Sequence, residues 1–268
     1  MEMESGLESR YQRLKQTIAC FDRVAVAFSG GVDSSLLLKV CCDVLGQENV
    51  LGLQGVSCLL SDDVLLQAEQ TFTGCTEGQG RLERVEFFPL EWDRFVLNGD
   101  DRCYLCKAEV YSSFLKRLKD AGCKTLVDGT NVDDFQEQRP GLRAIEELGV
   151  QTPLLEAGLR KAEIRELARL LGLKNHDLPS NSCLATRISR HTRITRKRLE
   201  VVDQAELILK RLGFAGCRVR PSGDQVVIEV QEQDISRIVQ QGPRDEIVRK
   251  FKSLGFLDLR LNLAGRKG

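Results

Sequence analysis

The feature that most constrains this chain is a β-prone run that breaks on paired glycines and resumes as a helix: Val24 to Phe28, then Ser29-Gly30-Gly31, then a segment carrying Leu36, Leu37, Leu38 and Val40. The first run suits a short buried strand and the second a packed helix, so the glycines mark a strand-to-helix turn. The same alternation recurs up to about residue 175. Val50 to Val56, Leu82 to Phe87 and Thr125 to Val127 read as further strands. Ser34 to Leu45, Asp62 to Thr73, Tyr104 to Lys119 and Lys161 to Leu171 read as helices. Strands separated by helices need crossovers, which predicts an α/β fold with a doubly wound parallel sheet. Ligands of such sheets bind beyond the carboxyl ends of the strands, where the glycine turn lies.

Near residue 180 the rhythm breaks at "NHDLPSNSCLATRISRHTRITRKR". After it come a helix over Arg196 to Leu212, strand-like runs around Arg218 to Arg220 and Val226 to Val230 joined by "PSGD", two short helices and a last strand-like "LDLRLNL". That order predicts a smaller α+β domain over 181–268 behind a first domain over 1–180.

Composition narrows the setting. The chain has 268 residues, enough for a real core, and its apolar stretches are too short to span a bilayer. The polar start "MEMESGLESRYQRLKQ" does not resemble a secretory signal, so a cytoplasmic location is expected. Lys+Arg and Asp+Glu both total 39, which argues against a global field recruiting nucleic acid. The ten cysteines are expected to be reduced thiols, with any clustered set a candidate for metal binding or catalysis.

Gly30 and Gly31 let the backbone approach a ligand closely, and the following helix offers unpaired N–H groups at its positive end. The turn therefore reads as an anion site. Hydroxyls of Ser29, Ser34 and Ser35 can add donors, and Asp33 suits Mg²⁺, because hard cations take carboxylate oxygens and bridge phosphates. A plain glycine turn with Asp33 capping a helix would explain the glycines and the aspartate, but not three serines around them. A Walker-type loop places Lys before Ser/Thr, whereas this turn has Val32-Asp33-Ser34 and is poorly matched to γ-phosphoryl transfer.

"SGGVDSS" resembles the PP-loop of ATP pyrophosphatases, whose fold is Rossmann-like. The resemblance implies attack at the α phosphorus of ATP, an adenylated substrate and release of pyrophosphate. Ala27 and Phe28 at the strand end belong, by the same resemblance, to the ATP-binding set. Three further motifs narrow the family: "DGTNVDDFQEQRPGLRAIEELGVQTPLLEAGLRKAEIRELARLLGL", "DLPSNSCLATRI" and "DRCYLCK". Together with the loop they resemble the LarE family through most of residues 15 to 265. Members of that family are ATP-dependent sulfur transferases that make pyridinium-3,5-bisthiocarboxylic acid mononucleotide, the pincer ligand of a nickel cofactor.

What the resemblance implies can be carried onto this sequence residue by residue. Asp128, Gly129, Thr130 and Asn131, which follow a strand-like "TLV", could meet nucleotide at the sheet's carboxyl edge, and by resemblance Arg139, Arg143 and the acids Asp133 and Asp134 help order ATP and Mg²⁺. Read alone, "NVDD" is a helix start with Asp in its first turn. Cys183 would bear the sulfur chemistry, with Arg187, four residues on, as a cation that favours thiolate. Cys103 and Cys106 form a C-x-x-C for which zinc, disulfide exchange and chance compete. With Cys183 they make three matched thiols, which suits a [4Fe–4S] cluster with one iron open. The family has two versions, one donating the sulfur of a lone cysteine and one holding such a cluster, and this chain resembles the cluster version.

Arg218 and Arg220 alternate along a strand and can converge on one phosphate. By resemblance they take the phosphate of the mononucleotide substrate, with Glu206, Glu229 and Arg260 beside them. Trp92 suits either stacking on a pyridinium ring or packing. The basic run "TRISRHTRITRKR" fits a nucleic-acid patch or a solvated linker equally. Cys20, Cys41, Cys42, Cys58, Cys75, Cys123 and Cys217 read as small apolar or surface residues. The expected partners are ATP and the small mononucleotide, with no nucleic acid and no membrane, in a homo-oligomer. Competing readings are a tRNA thiolase of the same superfamily, an amide-forming ATP pyrophosphatase, which would not need the three thiols, and a non-enzymatic Fe–S or zinc sensor.

Overall fold

The computed structural model describes residues 5–136, 140–179 and 182–266. In chain order the elements begin α1 (Ser5–Ala19), β1 (Val24–Ala27), α2 (Val32–Leu45), β2 (Val50–Val56), α3 (Asp62–Cys75) and β3 (Arg81–Glu86). They continue with α4 (Asp93–Val96), α5 (Arg102–Ala121), β4 (Thr125–Val127), α6 (Val132–Gln136), α7 (Pro140–Glu147), α8 (Pro153–Glu156) and α9 (Lys161–Leu170). The last are α10 (Arg196–Arg211), β5 (Arg218–Ser222), β6 (Gln225–Glu229), α11 (Ile235–Ile238), α12 (Gln241–Ser253) and β7 (Asp258–Leu261). Among the described residues no helix is long and apolar enough to cross a membrane.

The chain divides into two compact units. One comprises 1–57, 62–87 and 101–178, the other 58–61, 88–100 and 179–268. The boundary expected at 180 thus marks only the last crossing between them, because the second unit takes two short segments from inside the first 180 residues.

In the first unit four parallel strands lie in the order β3-β2-β1-β4. Central β1 alternates in both senses: Val24 and Val26 pack with residues of α1, α2 and α9, while Ala25 and Ala27 pack with Tyr111, Phe114 and Leu118 of α5. Both faces are therefore covered, as a parallel sheet requires. On the first face Leu14, Leu36, Leu37 and Leu167 are almost fully buried, each contributing roughly 1.5–3 kcal/mol by transfer from water. Helix α1, absent from the elements expected above, buries Leu7, Tyr11, Leu14 and Ile18 along one stripe. From β1 the order runs through β2 to β3 on one side and jumps to β4 on the other. The point of reversal, between the carboxyl ends of β1 and β4, is where a crevice opens in folds of this type.

The second unit is a three-stranded sheet, β5-β6-β7, with β5 antiparallel and β7 parallel to β6. Val219, Val226 and Ile228 face a core that contains Leu209 of α10 and Phe251 of α12. Register puts Arg218 opposite Glu229 and sets Arg220, Val227 and Arg260 in one row. By strand alternation these residues share the face away from that core.

Candidate active site

The glycine turn after β1 is shaped by its own side chains. Gly30 has φ +79°, and a Cβ there would lie 2.6 Å from Cβ of Ala68 and 2.8 Å from its Cα, so only glycine fits. Gly31 is the N-cap of α2 and supplies no side-chain cap, which leaves the first-turn N–H groups to a ligand. Ser34 Oγ and Ser35 Oγ donate to the Gly31 carbonyl at 3.0 and 2.9 Å, and the Ser29 hydroxyl accepts from Gly31 N at 3.3 Å. These three hydroxyls brace the turn. Asn175 adds two bonds, to Gly30 O at 3.0 Å and Ser35 Oγ at 2.9 Å, while its own Oδ1 is buried without a hydrogen-bond partner among the described residues. Ala27 and Phe28 are buried, and Phe28 lies edge-on against Phe72, so their side chains serve the core and only their main chain flanks the turn.

The loop after β4 closes against the turn: a Cβ on Gly129 would lie 3.0 Å from Ser34 N and 3.1 Å from the Asp33 carbonyl carbon. Asp128 organises this loop, accepting from Thr130 N at 2.7 Å, from the Thr130 hydroxyl and from the Tyr111 hydroxyl, with Lys107 Nζ at 3.4 Å. Burial pushes the Asp128 carboxyl up, but Lys107, Thr130 and Tyr111 outweigh it and hold the group below its ordinary value. Burial and Asp128 together push the Tyr111 hydroxyl well up. Asn131 caps α6, its Oδ1 accepting from Asp133 N at 3.0 Å and Asp134 N at 3.2 Å, and its Nδ2 donates to Asp33 Oδ1 at 3.4 Å. "NVDD" is therefore a capped helix start that also touches the metal-binding candidate.

Lys161, which no motif or spacing in the chain singles out, forms an ion pair with Asp33. Arg143 stacks over the Tyr104 ring at 3.6 Å and pairs with Glu147 at 3.2 Å, which packs α7 onto α5. Arg139 lies outside the described residues.

Cys103 and Cys106 stand one turn apart in the first turns of α5, both half-buried, with an Arg102 N–H 3.7 Å from Cys103 Sγ. Lys107, next in sequence to Cys106, is the residue that reaches Asp128. Among the described residues no group of three or more His, Cys, Asp or Glu side chains gathers as a metal centre. Cys103 and Cys106 stand at i and i+3 on one helix face, and Cys183 is a half-buried thiol of the second unit. The other buried thiols are unreactive by environment, since burial pushes Cys42 and Cys217 up to about 12 and Cys75 to about 11.

In the second unit the Cys183 loop is held by a chain of hydrogen bonds. The Thr186 hydroxyl donates to Cys183 O at 2.8 Å. Its single proton is then spent, so the 3.1 Å contact with Ser182 has Ser182 as donor. Arg187, 2% exposed, donates to Ser182 Oγ at 2.6 Å, Thr186 Oγ1 at 2.8 Å and Glu206 Oε1 at 2.6 Å. Arg187 thus holds the loop that carries Cys183, and Glu206, which also accepts from Val219 N at 3.0 Å, is its counter-ion. Arg220 donates to the Thr186 carbonyl at 2.9 Å and to Glu229 at 2.8 Å. Arg218 Nε is buried without a hydrogen-bond partner among the described residues. Burial first, then Arg266, Arg187 and Arg220, lower the Arg218 guanidinium to about 10. So dense a set of guanidiniums around Glu206 and Glu229 favours an anion. Arg260 is exposed and paired with Asp258 at 2.8 Å on its own strand, and Trp92 packs edge-on to Phe95 at 6.1 Å.

No family model matches the chain. It is 36% identical to an uncharacterized protein of Synechocystis, over 97% of this chain and 95% of that protein. It is 32% identical to the pyridinium-3,5-bisthiocarboxylic acid mononucleotide synthase of Lactiplantibacillus plantarum, over 97% of this chain and 92% of that enzyme. An uncharacterized protein of Methanocaldococcus jannaschii is 29% identical over 98% of this chain and 95% of its own length.

Proposed function

Because the chain belongs to the LarE family, that of the pyridinium-3,5-bisthiocarboxylic acid mononucleotide synthase, we propose that it is an ATP-dependent sulfur transferase acting on a pyridinium carboxylate mononucleotide in nickel-pincer cofactor synthesis. The observation that carries the reading is the junction at the carboxyl ends of β1 and β4: a glycine turn with an uncapped helix N-terminus and Asp33, closed by the Gly129 loop. Such a turn suits the pyrophosphate half of ATP as a leaving group. The substrate carboxylate attacks the α phosphorus, the α–β anhydride bond breaks, and pyrophosphate leaves with the bond's electron pair. A sulfur nucleophile then adds to the acyl carbon and AMP departs, leaving a thiocarboxylate.

Asp33 would hold Mg²⁺, and Gly129, Thr130 and Asn131, with Arg139 and Arg143, the nucleotide. Arg218 and Arg220 would hold the substrate phosphate, which supplies Arg218 Nε with an acceptor. Cys103, Cys106 and Cys183 would hold a [4Fe–4S] cluster, which when bound supplies sulfur from its open iron.

The test uses anaerobically purified protein with ATP, Mg²⁺ and the pyridinium-3,5-dicarboxylate mononucleotide. Pyrophosphate release matched by thiocarboxylate in the mass spectrum is expected, with iron and sulfide lowered by serine at any of the three cysteines. Pyrophosphate release that responds to tRNA and not to the mononucleotide would move the protein to the thiolases. Dehydroalanine at Cys183 with full activity in Cys103→Ser would replace the cluster by a lone sacrificial cysteine.

A further inference from the structure

We propose that Lys161 is the phosphate-facing cation that the glycine turn lacks, carried to the turn by the start of α9 and stored on Asp33 until ATP arrives. The inference rests on the adenylation reading above. The turn places Val32-Asp33-Ser34 where a Walker-type loop has its lysine, yet an α–β cleavage still builds charge on the departing pyrophosphate. Lys161 is 128 residues away in sequence, and its ammonium pairs with the Asp33 carboxylate.

Its placement is built, and not by its own side chain. Lys161 N donates to Asp133 Oδ2 at 2.8 Å, Arg160 Nη1 pairs with Asp133 Oδ1 at 2.9 Å, and Arg160 N donates to Glu163 Oε2 at 2.9 Å. Asn131 Nδ2 reaches Asp33 Oδ1 from the other side, so the carboxylate is fixed as well. Four CH₂ groups of lysine give the ammonium a swing of several ångströms about that fixed backbone, while both partners are only part-exposed.

Asp33 suits either a divalent cation or an ammonium, and one carboxylate serves both poorly at once. Lys161 gives up Asp33 when the cation of ATP arrives and turns to the oxygens of the triphosphate. As the substrate oxygen bonds to the α phosphorus and the α–β bond breaks, the electron pair stays on pyrophosphate, and the ammonium lies beside that charge without transferring a proton.

The experiment compares Lys161→Met and Lys161→Arg with wild type in two assays. Substrate-dependent pyrophosphate release is expected to fall about 100-fold in kcat for Lys161→Met, with KM for ATP little changed and partial recovery in Lys161→Arg. Mn²⁺ titration by electron paramagnetic resonance without ATP is expected to show Lys161→Met binding the ion up to about fivefold more tightly, because the internal counter-ion is gone. A role in holding the fold would not tighten metal binding. Wild-type kcat in Lys161→Met overturns the inference, as does Mn²⁺ affinity unchanged from wild type. A wild type that releases no pyrophosphate overturns the adenylation reading instead, and the Mn²⁺ titration then decides by itself whether Lys161 occupies Asp33.

Discussion

In the first unit the glycine turn is held largely through its own main-chain atoms, whereas in the second the Cys183 loop is held by side chains paired with one another. The turn after β1 depends on the left-handed Gly30, on two serines bonded to the Gly31 carbonyl and on the capping residue Asn131. The Cys183 loop depends on a buried guanidinium, Arg187, whose charge is answered by Glu206. A backbone scaffold survives loss of a functional side chain. A charge-held scaffold does not, because removing one partner strands the other in a medium that solvates it badly.

The largest effect should therefore come from Glu206→Ala, which leaves Arg187 buried without its counter-ion. A loss of about 3–5 kcal/mol is expected by denaturant titration, while Asp33→Ala in the other unit should cost little stability and abolish pyrophosphate release. Equal destabilisation by the two would erase the contrast. Gly30→Ala comes next, at about 1–3 kcal/mol, since the new methyl meets Ala68 in a conformation disfavoured for alanine. A melting temperature equal to wild type would mean that the turn relaxes freely.

Asp128 gives the main-chain scaffold a pH dependence. Its folded carboxyl lies below the unfolded value of 3.8, so its contribution is complete above that value and is lost as pH falls through the lower folded one. The stability gap between wild type and Asp128→Asn should accordingly narrow below about pH 4. A gap that is constant with pH would show that the charge is not what counts. Thr186→Val removes the bond to Cys183 O and should cost about 1 kcal/mol, lowering thiolation while sparing pyrophosphate release. Arg260→Ala should change stability by less than about 0.5 kcal/mol, because its pair with Asp258 is exposed. A loss of substrate affinity in that variant then reports a direct contact.

Much of the first unit was legible because its signals are local. The limits of β2 and β4 coincide with the predicted runs, and α9 differs from its reading by one residue. Helix α1 is less legible although Leu7, Tyr11, Leu14 and Ile18 recur at helical spacing, because the charged residues between them mask the stripe. The candidate site was less legible. Loop glycines and paired arginines announce themselves by residue type, whereas Lys161, Asn175 and Tyr111 are ordinary residues whose importance lies in what they touch.

The sequence by itself determined the alternation of strand and helix, the glycine turn and the arginines on alternate positions of β5, since each follows from spacing within a few residues. Tertiary structure alone decided that Lys161 meets Asp33, that Tyr111 and Lys107 meet Asp128, and that Glu206 neutralises Arg187. Those pairings depend on the order of strands in a sheet and on which helix crosses which face, and long-range contacts of that kind leave no periodicity in the chain from which they could be read.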